Sequence, residues 1–366
     1  MKNFVKHLSA FIILVYANNS AFTQSEPDSI IQIQKRIEQL ISNNQVSAQL
    51  FLGYQYFNNV GEDFNEFAIK RGYITFRKRV NPYISGRITP DITIDREGDG
   101  EGDVEMRLKY IFAQFTNPNM QGFITEPSIL IGQVYTPFIE FEEKINPYRV
   151  VSSHFLDRVN QVSSADFGIT LTTLIGGKID DDYQKRINKN HAGKYGSIAL
   201  GIYNGGGYHA LEKNNNKTFQ WRYTVRPFPK FIPGFQASFT GALGKGNLAE
   251  APDWNLYAGF LSYEHEHFVV TGQYFNAKGD HSGKLTNVSM LPLDNHGYSI
   301  FSEIKLFKKK ASLFGVWDYS EISDVNTIST SRYIVGLAYH IQGKTKIVVD
   351  YNFRDNSNNH PNPDLG

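Results

Sequence analysis

From residue 47 onward, apolar and polar positions alternate with a period of two, which places successive side chains on opposite faces of a strand. In 84–95, Ile84, Ile88, Ile92 and Ile94 share one face with Gly86 and Pro90, and Ser85, Arg87, Thr89, Asp91, Thr93 and Asp95 share the other. In 218–226, Phe219, Trp221, Tyr223 and Val225 oppose Thr218, Gln220, Arg222, Thr224 and Arg226. In 346–354, Ile347, Val349, Tyr351 and Phe353 oppose Lys346, Asp350, Asn352 and Arg354, with Val348 out of phase. Similar alternation predicts strands over 47–57, 67–80, 104–115, 124–133, 164–174, 195–204, 235–244, 254–264, 268–275, 296–306, 311–320 and 332–340. Most are close to the roughly 9–11 residues of a tilted membrane-spanning strand.

The connections between these strands choose among the all-β folds. Long ones (58–66, 96–103, 134–163, 205–217, 245–253, 276–295, 321–331) alternate with tight ones at Asn81-Pro82, 116–123, 227–234, His265 to His267, Phe307 to Lys310 and Ile341 to Thr345. Only 175–194 breaks the rhythm. An antiparallel up-and-down barrel, turned tightly at one end and looped at the other, produces this pattern; a Greek-key sandwich has no reason to. In lipid an open sheet would leave unpaired N–H and C=O groups at its edges. Single-chain bacterial barrels close with an even strand number, so fifteen strands predict a sixteenth following Gly366, and the fold expected is a sixteen-stranded all-β barrel.

The N-terminal part reads differently. Lys2, Lys6 and His7 precede an apolar run from Leu8 to Ala17, and Ser20-Ala21 offers small residues for cleavage. This order is that of a secretory signal peptide over 1–21. Residues 22–46 form a lead-in, in which Ile30, Ile33, Ile37 and Leu40 repeat at helical spacing behind a Ser29/Gln32 capping pair. The barrel occupies 47–366.

Composition narrows the function. Lys+Arg number 37 and Asp+Glu 36, a balance without the basic excess of a nucleic-acid binder. Mean hydropathy is -0.37, and no interior run approaches the ~20 apolar residues of a transmembrane helix. Aromatic residues nevertheless make up 14% of the chain, as expected where rings gather at two water–lipid boundaries. By parity Trp221, Trp254 and Trp317 all face the lipid. There is no cysteine, hence no disulfide scaffold and no thiolate chemistry.

If the aromatic parity faces lipid, the other lines a pore. It carries Arg77, Arg79, Arg87, Arg107, Lys109, Arg222, Arg226, Arg332, Lys346 and Arg354 against Asp91, Asp95, Glu105, Asp166, Asp318 and Asp350. Charges facing lipid would cost about 2–4 kcal/mol each at midplane. Rings of Arg and Lys select anions. Arg79 lies two residues before Asn81 and Arg87 five after Pro82, which predicts graded depths. The longest connection, 134–163, holds Glu140, Glu142, Glu143, Lys144, Arg149, His154, Asp157 and Arg158. Folded inward, its acids would face the arginines of the second and third strands and set up a transverse field. Asp95, Asp99 and Asp103 alternate in a glycine-rich loop as a weak calcium candidate; the twelfth position from Asp95 is Met106, not the Glu an EF-hand requires. No cofactor motif, nucleophile elbow or H-E-x-x-H occurs.

The segments RGYITFRKRVNPYISGRITPDITID (71–95), FIEFEEKINPYR (138–149) and SSADFGITL (163–171) resemble bacterial outer-membrane porins of the phosphate-selective porin O/P family, in its Bacteroidetes-type form. The resemblance implies a trimeric barrel in the bacterial outer membrane, with a folded-in third loop and an arginine-rich lumen. It implies passive passage of small anionic solutes, phosphate among the candidates, and no catalysis. The chain departs from the family at Pro363-Asp364-Leu365-Gly366, where no final strand ends in an aromatic residue. A structural or adhesive barrel, and a barrel enzyme, are the alternatives; conductance in a planar bilayer separates them from a channel.

Overall fold

The computed structural model describes residues 32–34, 36, 43–59, 62–96, 100–324 and 327–356. Two compact units divide the chain, Met1–Gln45 and Val46–Gly366. In the first, residues 32–34 and 36 are helical; Ile30, Ile37, Leu40 and the expected signal peptide lie outside the described residues.

The second unit is all-β. Fifteen antiparallel strands run in chain order as one up-and-down ladder. They are β1 (Asn44–Asn59), β2 (Glu62–Arg79), β3 (Ile84–Ile94), β4 (Val104–Thr116), β5 (Ile124–Tyr135), β6 (Ala165–Ile175), β7 (Gly196–Tyr203), β8 (Thr218–Val225), β9 (Phe235–Lys245), β10 (Asp253–Glu264), β11 (Phe268–Lys278), β12 (Asp294–Leu306), β13 (Ala311–Ser323), β14 (Ile328–Gln342) and β15 (Thr345–Asn356). Each expected strand is present. β1, β2, β13 and β14 run further into their connections than the alternation indicated. The sixteenth strand expected to follow Gly366 falls outside the described residues.

The period-two pattern becomes two faces. On β8, Thr218, Gln220, Arg222 and Thr224 are buried inside, while Phe219, Tyr223 and Val225 are exposed outside. Outward aromatic rings pack across strands. Phe219, Trp221, Phe239 and Tyr257 stack over β8–β10, and Tyr298, Trp317, Tyr333 and Phe353 over β12–β15. Such cross-strand pairs fix register.

The interior of the barrel is filled on one side. Residues 136–164 fold inward and carry two short helices, α1 (Ile139–Glu143) and α2 (Phe155–Arg158). Phe138, Ile139, Phe141, Ile145, Tyr148, Phe155 and Leu156 join Trp254, Leu256, Phe260, Phe275, Phe301 and Phe314 in one apolar core. Trp254 therefore corrects the sequence expectation: it faces inward and is fully buried. The inward faces of β10 to β14 carry large apolar side chains among their polar ones because the loop, not water, covers them. Val348, out of phase on β15, also packs against this core. Backbone space is part of the fit. A Cβ on Gly297 would meet Tyr319 O, Phe275 at 2.9 Å and the Phe155 ring at 3.0 Å.

The second strand and the last both reach this loop. Lys70 Nζ on β2 donates to Val151 O at 3.3 Å, and Lys346 Nζ on β15 donates to Pro147 O at 3.0 Å. The sheet is thus rolled around the loop. A third helix, α3 (Asp181–Arg186), lies in the 176–195 connection.

Candidate functional site

The candidate pathway lies between the polar face of the loop and the inward faces of β2 to β5. Arg77 stands directly across the strand pair from Arg87, and Arg79 opposite Ser85. Arg77 and Arg87 therefore share one level, and Arg79 lies two residues nearer the turn, so Arg79 and Arg87 stand at the graded depths expected of them. Arg77 and Arg79 are exposed, and neither makes an ion pair among the described residues. The Arg87 guanidinium lies 4.3 Å from the Tyr110 ring centroid and its Nε donates to Thr89 Oγ1 at 2.9 Å.

A register shift in β3–β4 shapes the next level. Thr89 pairs with Tyr110 and Pro90 with Leu108, so Lys109 has no partner across the pair. Pro90 lacks the N–H that a regular ladder would use, which suits a bulge. Gln133 Nε2 donates to the freed carbonyls of Leu108 and Lys109. Consecutive residues Lys109 and Tyr110 are consequently both buried. Lys109 Nζ sits 3.4 Å from Tyr73 Oη and near the rings of Tyr73, Tyr110 and Tyr208. Arg107 pairs in register with Asp91 and makes an ion pair with Glu105 at 3.3 Å.

Arg71, on the parity of Arg77, belongs to this wall and was missed in the sequence reading. Its Nη1 contacts Asp91 Oδ2 at 2.8 Å. Tyr208, from the β7–β8 connection, donates to the same oxygen at 3.0 Å. Asp91 thus serves Arg71 and Tyr208, not the Arg77/Arg87 pair.

The loop supplies the facing charges. Arg149 binds Glu143 and lies 3.7 Å from Asp157. Burial pushes the Glu143 carboxyl up, but Arg149, with Lys109 and His154, outweighs it and holds the group down at about 2. Burial likewise opposes ionisation of Glu140, and His191 and Lys144 overcome it, keeping this carboxyl well below the usual range. Glu142 points the other way, into the core. Burial raises it to about 8, against a hydrogen bond from Gln273 Nε2 at 2.9 Å. His154, 3.8 Å from Glu142, is driven down to about 3 by burial. Arg158 ties the far side of the loop to Asp318 on β13.

Arg222 and Arg226 face inward as expected but do not line open space; each is only 1% exposed. Arg222 Nε donates to Pro137 O at 3.0 Å, Nη1 to Ser197 Oγ at 3.0 Å, and its guanidinium lies 4.3 Å from the Phe141 ring centroid. Arg226 donates to Gly193 O at 3.3 Å and to Pro233 O, and lies over Tyr183. Their reading as pore-lining cations is corrected: chain folded inward covers both, and their donors are engaged.

Of the weak calcium candidates, Asp99 lies outside the described residues. Asp95 and Asp103 close a turn through backbone bonds. Among the described residues no three His, Cys, Asp or Glu side chains are grouped to hold a metal ion.

No protein-family model matches this chain, and no curated protein matches it. Solved structures do. An anion-selective porin from Comamonas acidovorans aligns with a TM-score of 0.56 at 8% identity, over 86% of this chain and 89% of that one. A loop-deletion mutant of OmpT, an outer membrane protein of Vibrio cholerae, aligns at 0.55 and 11% identity, over 86% and 95% of the two chains. A trimer form of OmpT aligns at 0.54 and 11%, over 86% and 89%. At these identities the likeness is one of fold: the chain has the porin-type outer-membrane barrel.

Proposed function

We propose that this protein is a passive diffusion channel of a bacterial outer membrane, admitting small hydrophilic solutes and preferring anions. In this reading residues 1–21 direct export, 22–46 lead into the barrel, the outward aromatic face meets lipid, and the chain performs no catalysis. The observation that carries it is the wall of β2 and β3. Arg77 and Arg79 are exposed without an ion pair among the described residues, while the acids of the facing loop are engaged by Arg149, Lys144 and His191. Cations left unneutralised across a narrow passage favour anions. The likeness of 71–95 and 138–149 to the phosphate-selective O/P porins supports the same sign of selectivity and makes phosphate a solute to try.

The reversal potential across a salt gradient tests this. Wild type is expected to prefer chloride over potassium. The triple variant Arg77→Glu/Arg79→Glu/Arg87→Glu is expected to lose or invert that preference, and the preference should weaken as salt shortens the ~10 Å Debye length at 0.1 M. A cation preference in wild type, or no shift in the triple variant, removes the anion reading. We propose further that the channel works as a homotrimer; native mass spectrometry in mild detergent that finds monomer alone contradicts this.

A further inference from the structure

The 176–195 connection, which breaks the alternation of loop lengths, does not hang free at the tight-turn end. Ile179, Tyr183 and Ala192 bury one another in a small core. Asp180 caps α3 by accepting from Tyr183 N at 2.8 Å. Arg226 holds the segment at Gly193 O and through the Tyr183 ring. From this base, two side chains reach the inward-folded loop that enters from the opposite end of the barrel. Asn188 Nδ2 donates to Lys144 O at 3.0 Å and to the buried Glu264 Oε1 at 2.8 Å. His191 Nε2 contacts Glu140 Oε2 at 2.7 Å, and its ring lies edge-on to Phe141 at 5.1 Å.

His191 has φ +46°. A non-glycine residue in the left-handed region is strained, and such strain persists where surrounding structure fixes it. Here the backbone turn aims the imidazole at α1. Glu140 and His191 also line, with Tyr135, Asn190, Glu126 and Ser197, an open cavity of about 220 Å³. Glu140 acts electrostatically on Arg87, so the direction of this one carboxylate decides how much of the basic wall it neutralises.

We infer that His191 and Asn188 are positioning residues that seat α1 from the tight-turn end, with His191 holding the Glu140 carboxylate away from the Arg77/Arg87 pair. The inference rests on the channel reading. Selectivity is then set not only by the wall and the loop but by a segment from the opposite end of the barrel. Released from His191, Glu140 turns to Arg87 and cancels part of the positive wall.

Single-channel recording on the full chain tests it, using His191→Ala, His191→Gln and the double variant Glu140→Gln/His191→Ala. In His191→Ala the anion-to-cation permeability ratio is expected to fall by about two-fold, the scale of one partly exposed ionic contact, with increased open-channel noise. His191→Gln, which keeps a donor, should restore both. In the Glu140→Gln background, His191→Ala should leave the ratio unchanged. Wild-type noise and ratio in His191→Ala overturn the inference, as does an equal fall in the Glu140→Gln background. If His191→Ala does not fold, Asn188→Ala carries the test: increased noise supports the seat, and wild-type noise overturns it. A folded wild-type protein that does not conduct would instead remove the channel reading itself.

Discussion

Single residues in the inward-folded loop respond to pH in opposite directions. Glu142 has a docked value of about 8 against an ordinary 4.5. A carboxyl raised on docking contributes stability that is complete below 4.5 and lost as pH rises through 8. Glu143, held at about 2, contributes stability present above 4.5 and lost as pH falls through 2. His154, neutral when docked at about 3 against an ordinary 6.5, adds a further loss as pH falls from 6.5. Charged neighbours Arg158, Asp157 and Asp318 act on Glu142, so the alkaline limb is the cleaner one to measure. Between pH 5 and 6.5 the gain from His154 offsets the loss from Glu142, so open-channel noise is expected to rise between pH 6.5 and pH 8 in wild type, and Glu142→Gln should flatten that rise. An equal rise in the variant would show that another group titrates. Arg222 makes a different prediction from the wall arginines. Arg222→Ala leaves Pro137 O without its donor, at about 1–3 kcal/mol for an unsatisfied buried acceptor. Arg222→Lys keeps the charge but loses the fork and the flat stacking face. Both should loosen the loop, read as proteolysis within 136–164, whereas Arg77→Glu should change ion preference with the loop intact.

Elements were legible in the sequence where the two faces meet different surroundings. On β8, Phe219 and Tyr223 meet the outside while Gln220 and Arg222 meet a polar interior, so alternation in type reports alternation in space. On β10 it does not. Leu256 and Phe260 point inward, Tyr257 and Leu261 outward, and period two cannot say which apolar face is lipid and which is loop; hence the misplacement of Trp254. Bulges were hidden for another reason. They shift phase by one residue, and only Pro90 hinted that Lys109 and Tyr110 would both turn inward. His191 and Asn188 carried no signal, because their partners lie across the barrel on other connections. The docking itself is testable on the elements that make it. Phe155→Ala should cost about 3–5 kcal/mol of docking, measured as lost hydrogen-exchange protection across α2. Gly297→Ala, which forces a Cβ against the backbone of β13 and the Phe155 ring, is expected to lower the temperature at which the folded form is lost, by a destabilisation of about 1–3 kcal/mol.

At the scale of the whole molecule, the contacts of Lys70 and Lys346 bear on the order in which the barrel forms. They join the loop across 81 and 199 residues of chain, separations at which closing the chain is slow. Neighbouring strands can zip by short hairpins, but β2 and β15 have no short route to each other. The loop, emerging between β5 and β6, offers both of them carbonyl acceptors at Pro147 and Val151. If these contacts form early, the loop serves as a mould on which the late strands meet the early ones, with its apolar side as the adhesive surface. Lys70→Met/Lys346→Met is expected to slow the appearance of the heat-modifiable folded form on refolding into detergent, with little change in the conductance of the channels that do form. A loop folded into a barrel is usually considered for what it lets through; with its contacts to β2 and β15, this one is expected to set how fast the barrel forms as well.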